Sequence, residues 1–300
     1  MCKKTFIENY FNKDIENKSY WLEYKNDNMP SSFFKYTSAK QYIYELINDD
    51  LMFLPKIKDL NDPFEIQLFY DIEKIKNAFT FKNRKIIKKV VGNETFEAEY
   101  IPPINSKNID ELNNILYDIN ENIKNKTSVV CLSEKNDINP LWAHYADNHK
   151  GICIEYDLKN CNNNFLKTLC LPIDYVEKRD NTRDLKSIII DEDYENSLFI
   201  LKTAITKSKD WEYEQEWRII FLEPFPNYTD FYSDKHYIKF IKPKSIYLGL
   251  DIDDKIEKKI KDICEFRGIN LYKMVKEEFD FYLKPKPILK FNDNENQKLI

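Results

Sequence analysis

Apolar residues recur at two spacings along the chain, and each spacing predicts one kind of element. Over several stretches they return every three or four residues, the period of one helix face. Tyr42, Leu46 and Ile47 show this spacing most clearly. The pattern predicts helices within residues 1–30, 39–50, 72–92, 109–125, 191–207 and 253–267, and a short helix or turn over 139–147.

Other stretches alternate apolar with polar residues or are short apolar runs, which is typical of strands. In GICIEYD, Ile152, Ile154 and Tyr156 alternate with Cys153 and Glu155. Strands are predicted over residues 33–38, 51–55, 127–134, 151–157, 211–222, 241–250 and 270–275. Strands and helices mix without a strict βαβ rhythm, which favours an α+β fold with mixed or antiparallel sheets and flanking helices.

Composition narrows the class of protein. The chain has 300 residues, of which 42% are hydrophobic and 15% aromatic, so a disordered chain is excluded. We interpret it as one domain over residues 1–300, with a helical N-terminal extension over 1–30 and a mobile tail over 286–300. No apolar run is long enough for a membrane span, and the N-terminus has no apolar run typical of a signal peptide. The six cysteines form no CxxC pair, which favours free thiols in a cytoplasmic protein.

The segment WEYEQEWRII, residues 211–220, holds glutamates at every second position. On an extended strand Glu212, Glu214 and Glu216 face the same side, about 7 Å apart. Like charges at that distance repel unless water, a cation or a ligand offsets them. Two interpretations stay open: a solvated sheet face, or a cleft that needs carboxylates.

The segment LWAHYADNHKG, residues 141–151, holds two of the three histidines. His144 and His149 are five residues apart, which is a poor spacing for two metal ligands on one helix, so no metal is expected. Asp147 is suited to a tight turn, whereas His144 either donates to a ligand or is satisfied in the core.

The segment NDPFE, residues 61–65, is a second turn signal. Asn and Asp before proline nucleate turns by bonding to their own backbone. Asn61 and Asp62 are equally suited to binding an amide or a ribose hydroxyl.

Three phrases occur together: FKYTS followed by LNDPFE, then CLSEKND with LWAHYADNHKGICIEYD, then WEYEQEWRI. As a set they resemble the bacterial domain-of-unknown-function family numbered 2971, over about residues 33–250. That family name implies no activity.

A second resemblance is to the ADP-ribosyltransferases, whose catalytic fold starts with a strand similar to FFKYTS. In that comparison Lys35 stands where the family has Arg or His, and Tyr36 replaces a glycine. Ser133 resembles the family's middle-strand serine, and Glu214 and Glu216 resemble its late E-x-E. The family's Ser-Thr-Ser triplet is missing.

The resemblance implies NAD as substrate and an ADP-ribosyltransferase-like split sheet. Glu216 would stabilise the ribosyl cation, and Glu214 would orient or deprotonate the acceptor. Cofactor contacts are expected from Lys35, Tyr36, Thr37, Ser38, Asn61, Asp62, Ser133, Trp142, His144 and Tyr145. It also implies a macromolecular acceptor, protein or nucleic acid, a toxin or anti-phage role, and a possible cognate regulator. No membrane partner is expected.

Two alternatives belong to other classes. A metal-dependent nuclease or hydrolase would use Glu155, Asp157 and the three glutamates of residues 212–216 as Mg²⁺ ligands. No lysine follows the glutamates within that strand, which disfavours it. A non-enzymatic binding or sensing module would use the same residues only for packing and salt bridges.

Overall fold

The structure is a computed structural model and describes residues 3–12, 14–40, 42–66, 109–178, 193–223, 231–232 and 237–291. The helix predicted over residues 72–92 lies outside these ranges. So do residues 292–300 of the expected tail.

The described strands agree with most of the sequence predictions. They are β1 (Phe33–Thr37), β2 (Leu51–Phe53), β3 (Thr127–Ser133), β4 (Ile152–Tyr156), β5 (Cys170–Pro172), β6 (Asp174–Val176), β7 (Thr206–Ser208), β8 (Glu216–Leu222), β9 (Phe231–Tyr232), β10 (Tyr237–Lys239), β11 (Ser245–Leu248), β12 (Asn270–Lys276) and β13 (Leu283–Leu289).

Seven of the eight described helices lie in stretches where the sequence predicts a helix, and the helix Asn164–Leu169 was not predicted. They are α1 (Lys3–Tyr10), α2 (Lys18–Asn28), α3 (Tyr42–Asn48), α4 (Ile109–Lys126), α5 (Asn139–His144), α6 (Asn164–Leu169), α7 (Asp193–Ala204) and α8 (Asp254–Arg267). Two 3₁₀ helices cover Ile57–Asp59 and Lys209–Glu214. Within this part of the chain, no helix is both long and apolar enough to cross a bilayer.

Eight strands form the main sheet, in the order β13-β12-β11-β4-β1-β3-β8-β5. Each neighbouring pair in it is antiparallel except β11 and β12, which are parallel and are joined by α8. A second sheet has the order β2-β10-β9, and β6 pairs in parallel with β7. The predicted α+β class with mixed sheets and flanking helices is confirmed.

The two faces of the main sheet are covered differently. One face, with Phe33 and Ile154, packs against α3 and α8 in the largest apolar cluster. The opposite face carries Phe34 and Tyr36 with α5 at one end, and Ile220 with α1 and α7 at the other. The functional candidates lie on this second face, between the two smaller apolar clusters.

The predicted strand over residues 211–222 is wrong in its first half. Residues Lys209–Glu214 form a 3₁₀ helix, and β8 begins only at Glu216. Gln215, between them, adopts the left-handed conformation with φ of 48°, which breaks any regular alternation. Glu212, Glu214 and Glu216 therefore do not share one face of a strand, and Glu212 is exposed to solvent.

The C-terminal edge of the sheet is a second correction. Strand β13 pairs with β12, and residues 286–289, which the sequence analysis assigned to the mobile tail, belong to it. The segment LKPKPIL was missed because Pro285 and Pro287 argue against a strand. Prolines are tolerated here because β13 lies at the edge of the sheet.

The segment after α5 is a strained turn that leads from Tyr145 into β4. Asp147, Asn148 and His149 all have positive φ, at 49°, 51° and 66°. The turn is closed by the Gly151 amide, which donates to the Ala146 carbonyl at 2.7 Å. It places Tyr145 on one side and starts β4 on the other.

We expect Gly151→Ala to lower the free energy of unfolding by about 3 kcal/mol, because overpacking against backbone cannot relax cheaply. A Cβ atom at residue 151 would lie 2.3 Å from the Thr37 carbonyl oxygen and 2.8 Å from that of Ala146. Urea unfolding measures the loss. The control is Gly268→Ala, where the left-handed φ of 62° should cost about 1 kcal/mol. Equal losses in the two variants would contradict the close-packing argument.

Candidate functional site

A cavity of about 120 Å³ opens on the second face of the main sheet, above β1, β3 and β8. Its wall is aromatic and aliphatic, and its floor is charged. The lining residues are Phe34, Lys35, Tyr36, Pro55, Leu60, Asn61, Glu65, Cys131, Leu132, Ser133, Leu141, Tyr145, Lys207, Glu214, Glu216 and Arg218.

Arg218, in β8, is the centre of the charged floor. Its side chain is fully buried, and it donates to both carboxylate oxygens of Glu65, Nη1 to Oε2 at 2.6 Å and Nη2 to Oε1 at 2.5 Å. Nε donates to Glu216 Oε1 at 2.7 Å, and Nη2 to Glu216 Oε2 at 3.2 Å. The remaining Nη1 hydrogen goes to the Ala204 carbonyl at 2.7 Å. All five N–H groups of the guanidinium are thus satisfied, which a buried arginine requires.

Lys207, in β7, is the second buried cation. Its Nζ donates to Glu214 Oε2 at 2.5 Å and to Glu216 Oε2 at 2.9 Å. The ammonium also lies 4.8 Å from the centre of the Trp211 ring, a cation–π distance. Lys207 therefore bridges the two glutamates that the sequence analysis singled out.

Tyr145 connects this floor to the rim. Its hydroxyl lies 2.9 Å from Glu214 Oε1 and 3.1 Å from the side-chain nitrogen of Asn61. Glu214 is buried, Tyr145 is half-buried and Asn61 is exposed. A chain of polar groups thus runs from solvent through Asn61 and Tyr145 to Glu214.

The two glutamates differ in electrostatic environment. Burial and the neighbouring charge of Glu216 raise the pKa of Glu214, although Lys207 and Tyr145 oppose that rise. Burial also acts to raise the pKa of Glu216, but the charges of Arg218 and Lys207 outweigh it and hold this pKa well below the usual range. Glu216 is therefore ionised at neutral pH, and Glu214 is the easier of the two to protonate.

Ser133 and Cys131, on β3, form one wall beside the glutamates. The Ser133 hydroxyl donates to the Glu214 carbonyl at 2.7 Å and accepts from the Lys135 amide at 3.2 Å. This holds the backbone before the left-handed Gln215. Burial raises the pKa of Cys131 to about 12, so its thiol is an unreactive neutral group.

Seven of the twelve sequence-predicted site residues line the cavity, and they come from distant parts of the chain. They are Lys35, Tyr36, Asn61, Ser133, Tyr145, Glu214 and Glu216. The alternation that singled out the two glutamates was wrong. They still meet because the left-handed turn at Gln215 lets both carboxylates reach Lys207.

The other five predicted residues lie outside the lining. Thr37 is the last residue of β1, and Ser38 follows it. The Asp62 carboxylate accepts from the Phe64 amide at 2.9 Å, as expected of a turn residue. Trp142 is fully buried, and its indole donates to the Asn136 carbonyl at 2.7 Å. His144 is exposed at the end of α5.

Three charged residues of the site were not predicted: Glu65, Lys207 and Arg218. Glu65 belongs to the NDPFE phrase and Arg218 to the EWR phrase, so the unusual co-occurrence of these phrases was a usable signal. Lys207 lies in the plain stretch TKSKD, and nothing in the local sequence marks it.

Of the five carboxylates invoked for a Mg²⁺ site, only Glu214 and Glu216 line this cavity. Glu155 accepts hydrogen bonds from Ser32 at 2.6 Å and Tyr247 at 2.7 Å, away from the lining. Asp157 accepts from the Asn160 amide at 3.0 Å in a turn. Among the described residues, no group of three or more His, Cys, Asp or Glu is placed to hold a metal ion.

One part of the chain matches a known family, and it contains most of the residues of this floor. Residues 141–219 match the family model described as Protein of unknown function (DUF2971). The resemblance to that family is thereby confirmed, and the match contains Tyr145, Lys207, Glu214, Glu216 and Arg218. No curated protein and no solved structure matches the chain.

We expect Arg218→Lys to lower the free energy of unfolding by about 3–5 kcal/mol, because it leaves Glu65 buried without its two-point partner. The matched control is Arg267→Lys. Arg267 makes a similar two-point contact with Asp50, at 2.8 Å and 2.9 Å, but is partly exposed. That change should cost about 1 kcal/mol. Urea unfolding of both variants compares them, and similar losses would refute the central role of Arg218.

Proposed function

We propose that the protein is an NAD-consuming enzyme, an ADP-ribosyltransferase or an NAD glycohydrolase. The observation that carries the proposal is the meeting of Lys35, Ser133 and Glu216 at one cavity, on the adjacent strands β1, β3 and β8. The ADP-ribosyltransferases that the sequence resembles have Arg, Ser and Glu in this order.

The reaction breaks the bond between the ribose C1′ and the nicotinamide nitrogen. The bonding electrons leave with nicotinamide, which becomes neutral, and the ribose carries the positive charge as an oxocarbenium ion. An acceptor hydroxyl, amine or water then forms a bond to C1′ and loses a proton. The protein must therefore stabilise a cation and accept one proton.

Glu216 fits the first requirement. Its carboxylate is buried and kept ionised by Arg218 and Lys207, so its orientation is fixed before substrate binds. A preorganised charge in a poorly solvated site stabilises a developing opposite charge far better than water does. Arg218 and Lys207 weaken that field, but they prevent Glu216 from taking up a proton.

Glu214 fits the second requirement. Each of its oxygens has one contact, with Tyr145 and with Lys207, and each keeps one lone pair for a ligand. Its raised pKa brings it closer to that of an effective general base at neutral pH. Tyr145 and Asn61 lead from it to solvent, along the path by which an acceptor would arrive.

The cavity wall supplies the contacts that a nicotinamide–ribose group requires. Phe34, Tyr36 and Tyr145 provide aromatic surface for the ring, and Lys35 provides a cation for the diphosphate. The Tyr36 hydroxyl donates a hydrogen bond to the Lys135 carbonyl at 2.8 Å, which holds the Tyr36 ring in place.

The acceptor in this proposal is a macromolecule, protein or nucleic acid. The resemblance to ADP-ribosyltransferases suggests a cytoplasmic toxin or anti-phage effector, with a possible cognate regulator. The release of nicotinamide from NAD is common to all these acceptors, so this half-reaction is tested first.

We expect purified protein to release nicotinamide from NAD, with cell lysate supplied as acceptor. Glu216→Gln should lower the rate about 10²–10³-fold, because the charge facing the cation is lost. Glu214→Gln should lower it about 10²-fold, because the base is lost. Chromatography of released nicotinamide measures the rates.

The matched control is Glu212→Gln, in the same 3₁₀ helix as Glu214 but exposed and outside the cavity. It should keep the wild-type rate. Absence of nicotinamide release from wild-type protein, with and without lysate, would refute the proposal. Equal losses in the Glu212 and Glu216 variants would refute the assigned roles.

A further inference from the structure

The chemical difference between Glu214 and Glu216 depends on how two buried cations are shared. Glu65, Glu214 and Glu216 line the cavity floor, with Arg218 and Lys207 between them. All five side chains are at most 5% exposed. Three buried carboxylates and two buried cations leave one carboxylate without a full counter-charge.

The hydrogen bonds identify that carboxylate. Arg218 directs four of its contacts to Glu65 and Glu216 and its last N–H to the Ala204 carbonyl. It therefore makes no hydrogen bond to Glu214. Glu214 depends on Lys207 alone for positive charge, and it shares Lys207 with Glu216.

Lys207 is held in this position by long-range structure. Strand β7 pairs in parallel with β6, with Lys207 opposite Tyr175. The Tyr175 hydroxyl accepts the Glu216 amide proton at 2.8 Å. The same short strand pair thus fixes the ammonium and the backbone of one of its two carboxylate partners.

We propose that Lys207 is a positioning residue that divides the protonation roles of the two glutamates. Its ammonium, shared between the two carboxylates, joins Arg218 in keeping Glu216 ionised, and it leaves Glu214, which has no second cation, as the carboxyl that exchanges a proton with the cavity. This inference rests on the proposed function for its catalytic meaning, but the division itself is a property of the buried network.

The direction of the pH effect follows from the groups that face Glu214. They are Lys207 on β7, Glu216 and Arg218 on β8, Tyr145 after α5, Tyr175 on β6, Lys35 on β1 and Tyr213 in the same 3₁₀ helix. Loss of the Lys207 charge removes a cation that lowers the pKa of Glu214, and the repulsion from Glu216 remains. The pKa of Glu214 must then rise further. A rate that needs ionised Glu214 rises with pH through this pKa, so the acidic limb of its pH profile must move to higher pH.

The test compares Lys207→Met with Lys207→Arg, which removes or keeps the charge. The direct readout is a carboxyl ¹³C NMR titration of protein labelled at glutamate, with the Glu214 signal assigned from Glu214→Gln. We expect the Glu214 midpoint to rise by at least about one pH unit in Lys207→Met, since the lost partner was in direct contact. Lys207→Arg should move it by less than about half a unit, because the charge stays. An unchanged midpoint in Lys207→Met would overturn the inference.

Glu214→Gln keeps the shape of the site and tests the same division even where Lys207→Met fails to fold. With Glu214 removed, Glu216 no longer shares Lys207, and it still shares Arg218 with Glu65. Glu216 should then not titrate above about pH 4.5, the ordinary range of glutamate. A Glu216 titration above that pH would show that Glu216 exchanges the proton, and would overturn the inference.

Nicotinamide release from NAD across the same pH range separates this inference from the proposed function. If release occurs and its acidic limb moves upward in Lys207→Met, both stand. If release occurs and the limb stays in place, the inference fails alone. If no variant releases nicotinamide but the Glu214 midpoint shifts, the proposed function fails and the division of roles stands.

Discussion

The buried guanidinium of Arg218 is the interaction on which the site depends. A charge taken out of water costs several kcal/mol unless every donor finds a partner. Arg218 lies in β8 of the main sheet and is fully buried, so its partners must come from the protein. The chain therefore has to bring two carboxylates and a carbonyl to this point, and each of them comes from a different segment.

Each of these contacts positions something else. Glu65 fixes the end of the NDPFE turn, which holds Asn61 at the cavity rim near Tyr145. The Ala204 carbonyl fixes the end of α7, which leads directly into β7 and Lys207. Glu216 then meets both cations. The order of dependence runs from one buried charge outward to the rim, so changes at Arg218 reach the whole site.

The sequence predicted the elements better than it predicted the contacts. Alternation and helical spacing located β1, β3, β4 and α8, because those patterns are local and burial enforces them. Alternation failed at residues 211–214, where the aromatic and acidic residues form a 3₁₀ helix that the left-handed Gln215 ends. A left-handed conformation at a residue other than Gly, Asn or Asp has no composition signal.

The candidate site shows the same contrast between what the local sequence predicts and what depends on long-range contacts. The sequence predicts Ser133, Tyr145, Glu214 and Glu216 as site residues because they lie in distinctive phrases, and all four line the cavity. It does not predict Lys207, because the position of Lys207 depends on the parallel pairing of β6 with β7, which joins segments about thirty residues apart. Local sequence cannot encode which lysine among 46 basic residues ends between two glutamates.

The charge of the floor bears on which ligands it favours. With all groups ionised, three glutamates against Arg218 and Lys207 leave one net negative charge inside the protein. An anionic group placed there would add to it, whereas a group that becomes cationic during a reaction would neutralise it. Lys35, at the cavity wall, is instead placed to meet an anion beyond the floor. The ligand of the proposed function combines a developing cation with an adjacent diphosphate, and so it would match both charges.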